Sequence, residues 1–198
     1  GITWEAVETA LTLGTAKEWD NLMIRTMDVF QKNNKFHMYY AGMSIGTAEN
    51  NQRIGMASSS DLHDWKKSEK KVLQSTAPFY EDANNNPRGW ISFRDPFHFE
   101  INDNSYLLVC SRSAHGPVSR RGSVGLYKRE NDVFIPQNPL LVPMAFDDVE
   151  SPCICEIDGK FYLIGSIRED VKVRYWRADE FQGEYKSFHH DALLPQGN

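Results

Sequence analysis

The chain has 198 residues, 40% of them hydrophobic and 25% charged, enough for one domain with a substantial core. Its formal charge is −5 and its Lys and Arg residues are scattered, which argues against nucleic acid or an anionic membrane as partner. Apolar runs are short, far below the roughly 20 residues a spanning helix needs, so no membrane segment is expected.

Short apolar or aromatic runs alternate with polar residues and are punctuated by Gly, Asn, Asp and Pro, which predicts strands joined by turns. The first unit starts at Met27-Asp28-Val29-Phe30, turns, and continues as the aromatic run Phe36-His37-Met38-Tyr39-Tyr40. Two more strands are expected after it, at Arg53–Ser58 and around Asp61–Lys66. The second unit starts at Arg94-Asp95-Pro96-Phe97, turns at Asn102-Asp103-Asn104 and continues as Tyr106-Leu107-Leu108-Val109. Its second pair of strands is Gly122–Tyr127 and Val133–Ile135. The third starts at Glu150-Ser151-Pro152-Cys153, turns at Asp158-Gly159 and continues as Phe161-Tyr162-Leu163-Ile164. Val171–Trp176 and Gly183–Lys186 would complete it, with one short turn over Asp179–Glu184.

Each unit therefore reads acid, short strand, tight polar turn, aromatic strand and two further strands. That repeat predicts an all-β chain folded as a β-propeller of four-stranded antiparallel blades, over about residues 17–75, 90–143 and 148–195. A sandwich also has many short strands, but gives no reason for the same head at every repeat. Three blades leave open edges, which folded proteins avoid. With the end at Pro195–Asn198, this leads us to expect that a missing segment or a second chain completes the ring.

Cys153 and Cys155 share one face of an expected strand, and no His or Cys spacing matches a zinc site. Free thiols are expected, and neither a metal nor a cofactor. Thiols kept reduced favour a cytoplasmic setting, while the start at Gly1 leaves a secreted or periplasmic protein with a removed leader open.

In a propeller the first strand of each blade lines the axis, so Asp28, Asp95 and Glu150 are expected to converge. Crowded carboxylates raise one another's pKa, which stability alone gives no reason to arrange. Glycoside cleavage does, since one carboxylic acid protonates the leaving oxygen while a second carboxylate acts as base or nucleophile.

These residues resemble a known group of enzymes. Arg94-Asp95-Pro96 looks like the Arg-Asp-Pro motif of glycoside hydrolase families 32 and 68, and Asp-Pro before an aromatic strand is similar to family 43. Glu150-Ser151-Pro152 resembles the general-acid strand of that five-bladed superfamily. Ser60-Asp61-Leu62-His63-Asp64-Trp65 matches its recurring blade segment. The resemblance runs from about residue 17 to 195 and corresponds to the first three of five blades. It implies a glycosidase acting on an oligosaccharide or other glycoside. Glu150 would be the general acid, Asp95 the transition-state stabiliser or pKa modulator, and Asp28 the base or nucleophile. Asp28 stands closer to its aromatic strand than the other two acids do, so Asp20 after Trp19 is the alternative. Trp90, Arg94, His98, Arg112 and Arg168 join Asp20 as candidate substrate-binding residues. A propeller phosphorylase using Arg112, Arg120, Arg121 and Arg168 for phosphate is a second reading, and a non-catalytic sugar-binding propeller a third.

Overall fold

The computed structural model describes residues 3, 5–44, 50–69 and 73–194; the terminal Pro195–Asn198 lies outside them. It is all-β apart from one short 3₁₀ turn at Val118–Arg120, and no helix is long and apolar enough to cross a membrane.

Three four-stranded antiparallel sheets follow in chain order. The first blade is β1 (Met23–Lys32), β2 (Lys35–Met43), β4 (Arg53–Ser59) and β5 (Lys66–Lys67). The second is β7 (Arg94–Ile101), β8 (Asn104–Arg112), β9 (Gly122–Glu130) and β10 (Val133–Pro136). The third is β11 (Glu150–Ile157), β12 (Lys160–Ile167), β13 (Lys172–Ala178) and β14 (Ala192–Leu194). Between the first two blades, β3 (Asn50–Asn51) and β6 (Trp90–Ile91) pair in parallel.

The hairpins closing the inner strands turn on Asn33-Asn34, Asn102-Asp103 and Asp158-Gly159, all with positive φ. Two such residues in succession give a two-residue turn whose twist matches the strands. The middle strands are buried on both faces, which explains their unbroken apolar runs. In β8, Leu107 and Val109 pack with Tyr39, Ile54 and Phe93 between the first two blades. Tyr106 and Leu108, on the opposite face, pack with Leu163 and Trp176 between the second and third.

The free face of the first blade is covered by the segment before β1. Trp19 stacks on Tyr40 with ring centroids 5.5 Å apart and lies across Gly42 and Gly55. A Cβ at either glycine would come within 2.6 Å or 2.5 Å of that indole, so only glycine lets the segment lie flat.

Two expected outer strands are placed differently. Asp61–Asp64 is a turn rather than a strand: the Asp61 carboxylate accepts the backbone N–H groups of His63 and Asp64, each at 2.9 Å. These bonds and the Ser59 hydroxyl lower its pKa to about 2. The Ser-x-Asp-Leu-x-x-Trp segment is thus structural punctuation, fastened by the Trp65 indole N–H to the Leu62 carbonyl at 2.9 Å. In the third blade Gly183–Lys186 makes only one bridge, Lys186 to Arg177, and β14 supplies the paired edge.

Candidate active site

The inner strands β1, β7 and β11 lie side by side, and each begins with the same irregularity. Pairing jumps from Arg25↔Ala41 to Met27↔Tyr40, from Arg94↔Cys110 to Phe97↔Leu108, and from Glu150↔Ser166 to Cys153↔Ile164. Just past each first pair, Thr26, Asp95 and Ser151 have φ of 36°, 55° and 48°. These are β-bulges, devices that re-aim side chains at strand ends. Positive φ costs residues such as Thr26 and Ser151 about 1 kcal/mol or more each, so all three blades carry such strain at the same place.

The register corrects the overlay drawn from the sequence. Glu150 is matched by Arg94 and Arg25, whereas Asp95 is matched by Ser151 and Thr26. Asp28 lies further along β1, opposite Tyr39. Arg94 and Asp95, expected on opposite sides of a regular strand, are brought to 3.7 Å by the bulge.

The bulges are linked from blade to blade. The Asp95 N–H donates to Thr26 Oγ1 at 3.2 Å, and the Ser151 N–H donates to Asp95 Oδ2 at 2.8 Å. Farther in, the His98 N–H donates to Asp28 Oδ2 at 2.7 Å. Burial pushes the Asp28 carboxyl above the usual range, offset in part by hydrogen bonds from the backbone N–H groups of His98 and Val29.

Two hollows follow one another along the strand heads. The mouth, about 690 Å³, is lined by Arg25, Arg94 and Glu150 and flanked by Trp90, Gln52 and Arg168. The second, about 270 Å³, lies along the next residues of the same strands, including Asp28, Asp95 and Cys153. The structure therefore brings Asp28 and Asp95 to one hollow and Glu150 to the other.

Glu150 has 28% of its side chain exposed, and its Oε1 lies 2.6 Å from Arg94 Nη2. The same nitrogen bonds Asp148 Oδ2 at 2.9 Å, while Arg94 Nη1 donates to Gln52 Oε1 at 3.2 Å. Ser92 in turn donates to Asp148 at 2.9 Å. Arg94 is thus buried, with its fork aimed between two carboxylates. Trp90 carries the Arg88 guanidinium at 4.0 Å from its ring centroid and lines the mouth.

Other candidates sit elsewhere. Asp20 is buried and bonded to Tyr40 Oη at 3.1 Å and Lys67 Nζ at 2.6 Å, on the outer face of the first blade. Arg112 is 0% exposed; it donates to Glu81 Oε2 at 2.8 Å and to the Asp147 carbonyl at 2.5 Å. Buried pairing of this kind positions the loop bearing Asp147 and leaves Arg112 no reach to a sugar. Arg121 also pairs with Glu81, at 3.1 Å. Of the arginines considered for phosphate, only Arg168 lines the mouth.

His98 is wedged between blades, its ring 3.8 Å from that of Phe30 and its Nε2 2.9 Å from Ser105 Oγ. Burial pushes its pKa from 6.5 down to about 4. A folded-state pKa below the unfolded one means the unfolded chain binds more protons between those values. Stability contributed by neutral His98 is therefore lost as pH falls from about 6.5 through about 4. Thermal melts should show His98→Phe losing less stability than the parent between pH 7 and pH 4; equal losses would show that His98 does not set the acid limb.

Sequence reasoning missed Arg25, Gln52, Asp148 and Glu81. The signal for Arg25 was present: counted back from the hairpin turns rather than from the aromatic strands, Arg25-Thr26 falls in line with Arg94-Asp95 and Glu150-Ser151.

Solved structures with the same arrangement include a β-fructofuranosidase variant of Microbacterium saccharophilum, with TM-score 0.66 and 17% identity over 88% of this chain and 44% of that one. A levansucrase variant of Bacillus subtilis matches with TM-score 0.67 and 14% identity over 88% of this chain and 55% of that one. GH43B of the Bacteroides ovatus xyloglucan PUL matches with TM-score 0.56 and 13% identity over 84% and 29%. The chain has the β-propeller fold of these enzymes. The propeller here spans about half the length of the first two. No protein-family model and no curated protein matches it.

Proposed function

We propose that this propeller cleaves O-glycosidic bonds, with Glu150 protonating the leaving oxygen at the mouth and Asp28 acting as base or nucleophile from the second hollow, so that the sugar ring spans the two along the strand heads. Asp95, hydrogen-bonded to the backbone beside Glu150, holds the strand heads in register and stabilises positive charge on the ring. The observation that carries this reading is Glu150. It is a partly exposed carboxyl on an inner strand, set by a buried arginine in a hollow of sugar size. The likeness to a β-fructofuranosidase and a levansucrase supports it at the level of fold. Fructan, arabinan, xylan and galactan fragments are the substrates to try.

Turnover of a panel of aryl glycosides tests the assignment. Asp28→Asn should lower it by about 10²–10⁴, the usual worth of an acid–base group. Full activity in that variant would remove Asp28 from the chemistry. Trp90→Ala should weaken sugar binding about tenfold by calorimetry, through loss of an aromatic plate. Unaltered affinity would reduce Trp90 to packing.

A second reading is a non-catalytic sugar-binding propeller. The register favours it at one point, since the first blade presents Arg25 at the mouth rather than a carboxylate. Sugar binding with no turnover on any glycoside would select it.

A further inference from the structure

We propose that the mouth holds an oxyanion, and that the sugar it takes is an acidic one or is accompanied by a free inorganic anion. The inference rests on the mouth being the sugar site and names the charge of what enters it.

Pairing in the mouth is asymmetric. Among the described residues, each carboxylate that lines it is already engaged. Asp147 pairs with Arg88 and Arg112, Asp148 and Glu150 with Arg94, and Glu169 accepts the Asp147 N–H at 2.5 Å. Arg25 and Arg168 line the same hollow, and both are exposed. Among the described residues neither guanidinium forms an ion pair; Arg25 touches only the Met23 sulfur, at 3.7 Å. With these carboxylates held by partners, the guanidinium forks of Arg25 and Arg168 are, among the described residues, the charged donors left open toward the hollow. A guanidinium presents a planar fork that fits carboxylate, phosphate or sulfate. Arg25 enters from the first blade at the place where the third blade presents Glu150, and Arg168 follows the end of β12. They approach the hollow from two blades, with Glu150 and Trp90 on the same wall system. A sugar bearing one carboxylate can thus meet a cation while its ring lies near the indole and its linkage near Glu150.

Calorimetry on the full chain at low ionic strength tests this with methyl glycosides of glucuronic and galacturonic acid, the matching neutral glycosides and inorganic phosphate. The acidic glycosides should bind about tenfold more tightly than the neutral ones, the worth of one partly exposed charge-assisted pair. Arg25→Gln and Arg168→Gln should each narrow that difference between acidic and neutral glycosides, and added salt should shrink it in the parent. Phosphate binding that is lost in the same variants also upholds the seat and identifies the anion as a separate ion. Equal affinity for charged and neutral sugars, with no phosphate bound, overturns the oxyanion seat but keeps the sugar site. Phosphate bound with no sugar bound keeps the seat and overturns the sugar site. Thermal melts of both variants check that these exposed substitutions leave the fold intact.

Discussion

Glu150→Gln should cut turnover of glycosides with poor leaving groups by about 10²–10⁴, while sugar affinity changes little. The amide keeps an oxygen for Arg94, now bonded at 2.6 Å, so the mouth retains its shape. What it cannot do is give up a proton to the departing oxygen. The deficit should therefore depend on the leaving group, because a phenol acidic enough to depart as its anion needs no protonation. Rates for a series of aryl glycosides, plotted against phenol pKa, should steepen in the variant and converge with the parent at the most acidic phenols. A parallel displacement across the series would make Glu150 a binding group. No loss at all would end the glycosidase assignment for this hollow.

Arg112→Met should be the most destabilising single change, by about 3–5 kcal/mol, because it takes from buried Glu81 the closer of its two guanidinium partners. Glu81 is 0% exposed and is held by Arg112 at 2.8 Å and by Arg121 at 3.1 Å. The substitution also strips donors from the Asp147 and Val118 carbonyls. For a chain of this size the melting temperature should fall by roughly 10 °C. Replacing both partners, as Arg112→Met with Glu81→Leu, should recover part of the loss, since no isolated buried charge remains. A single variant that melts with the parent would show that Arg121 alone satisfies Glu81. Because Asp147 lines the mouth, sugar affinity should fall with stability in the single variant.

The sequence made the architecture readable because each blade repeats one physical solution. Turn residues at Asn102-Asp103 and Asp158-Gly159 mark the hairpins, and doubly buried strands such as Tyr106–Val109 show as unbroken apolar runs. The outer edges were harder to read. The carboxylate of Asp61 competes for backbone N–H groups and turns an expected strand into a loop, which composition alone does not announce. At the site, Arg94, Glu150, Trp90 and Arg168 were legible and all line one hollow. Asp28 and Asp95 were legible as strand-head acids, but their place relative to Glu150 depends on bulges at Thr26, Asp95 and Ser151. A single extra residue changes which side chain faces the opening, and such an insertion leaves no periodic trace. Arg112 and Asp20 carried the right chemistry in the wrong surroundings, since burial is a property of the assembled blades rather than of local spelling.

The shared bulge has an evolutionary consequence. Because Thr26, Asp95 and Ser151 occupy equivalent seats around one hub, as do Arg25, Arg94 and Glu150, the scaffold offers interchangeable sockets. A change of one or two bases in a codon can put an acid or a hydroxyl into the exposed Arg25 seat without disturbing the hairpins, whereas Arg94 is held in its seat by the buried groups it bonds. New specificity in such a scaffold needs no new loop, only a different lettering of the same ring.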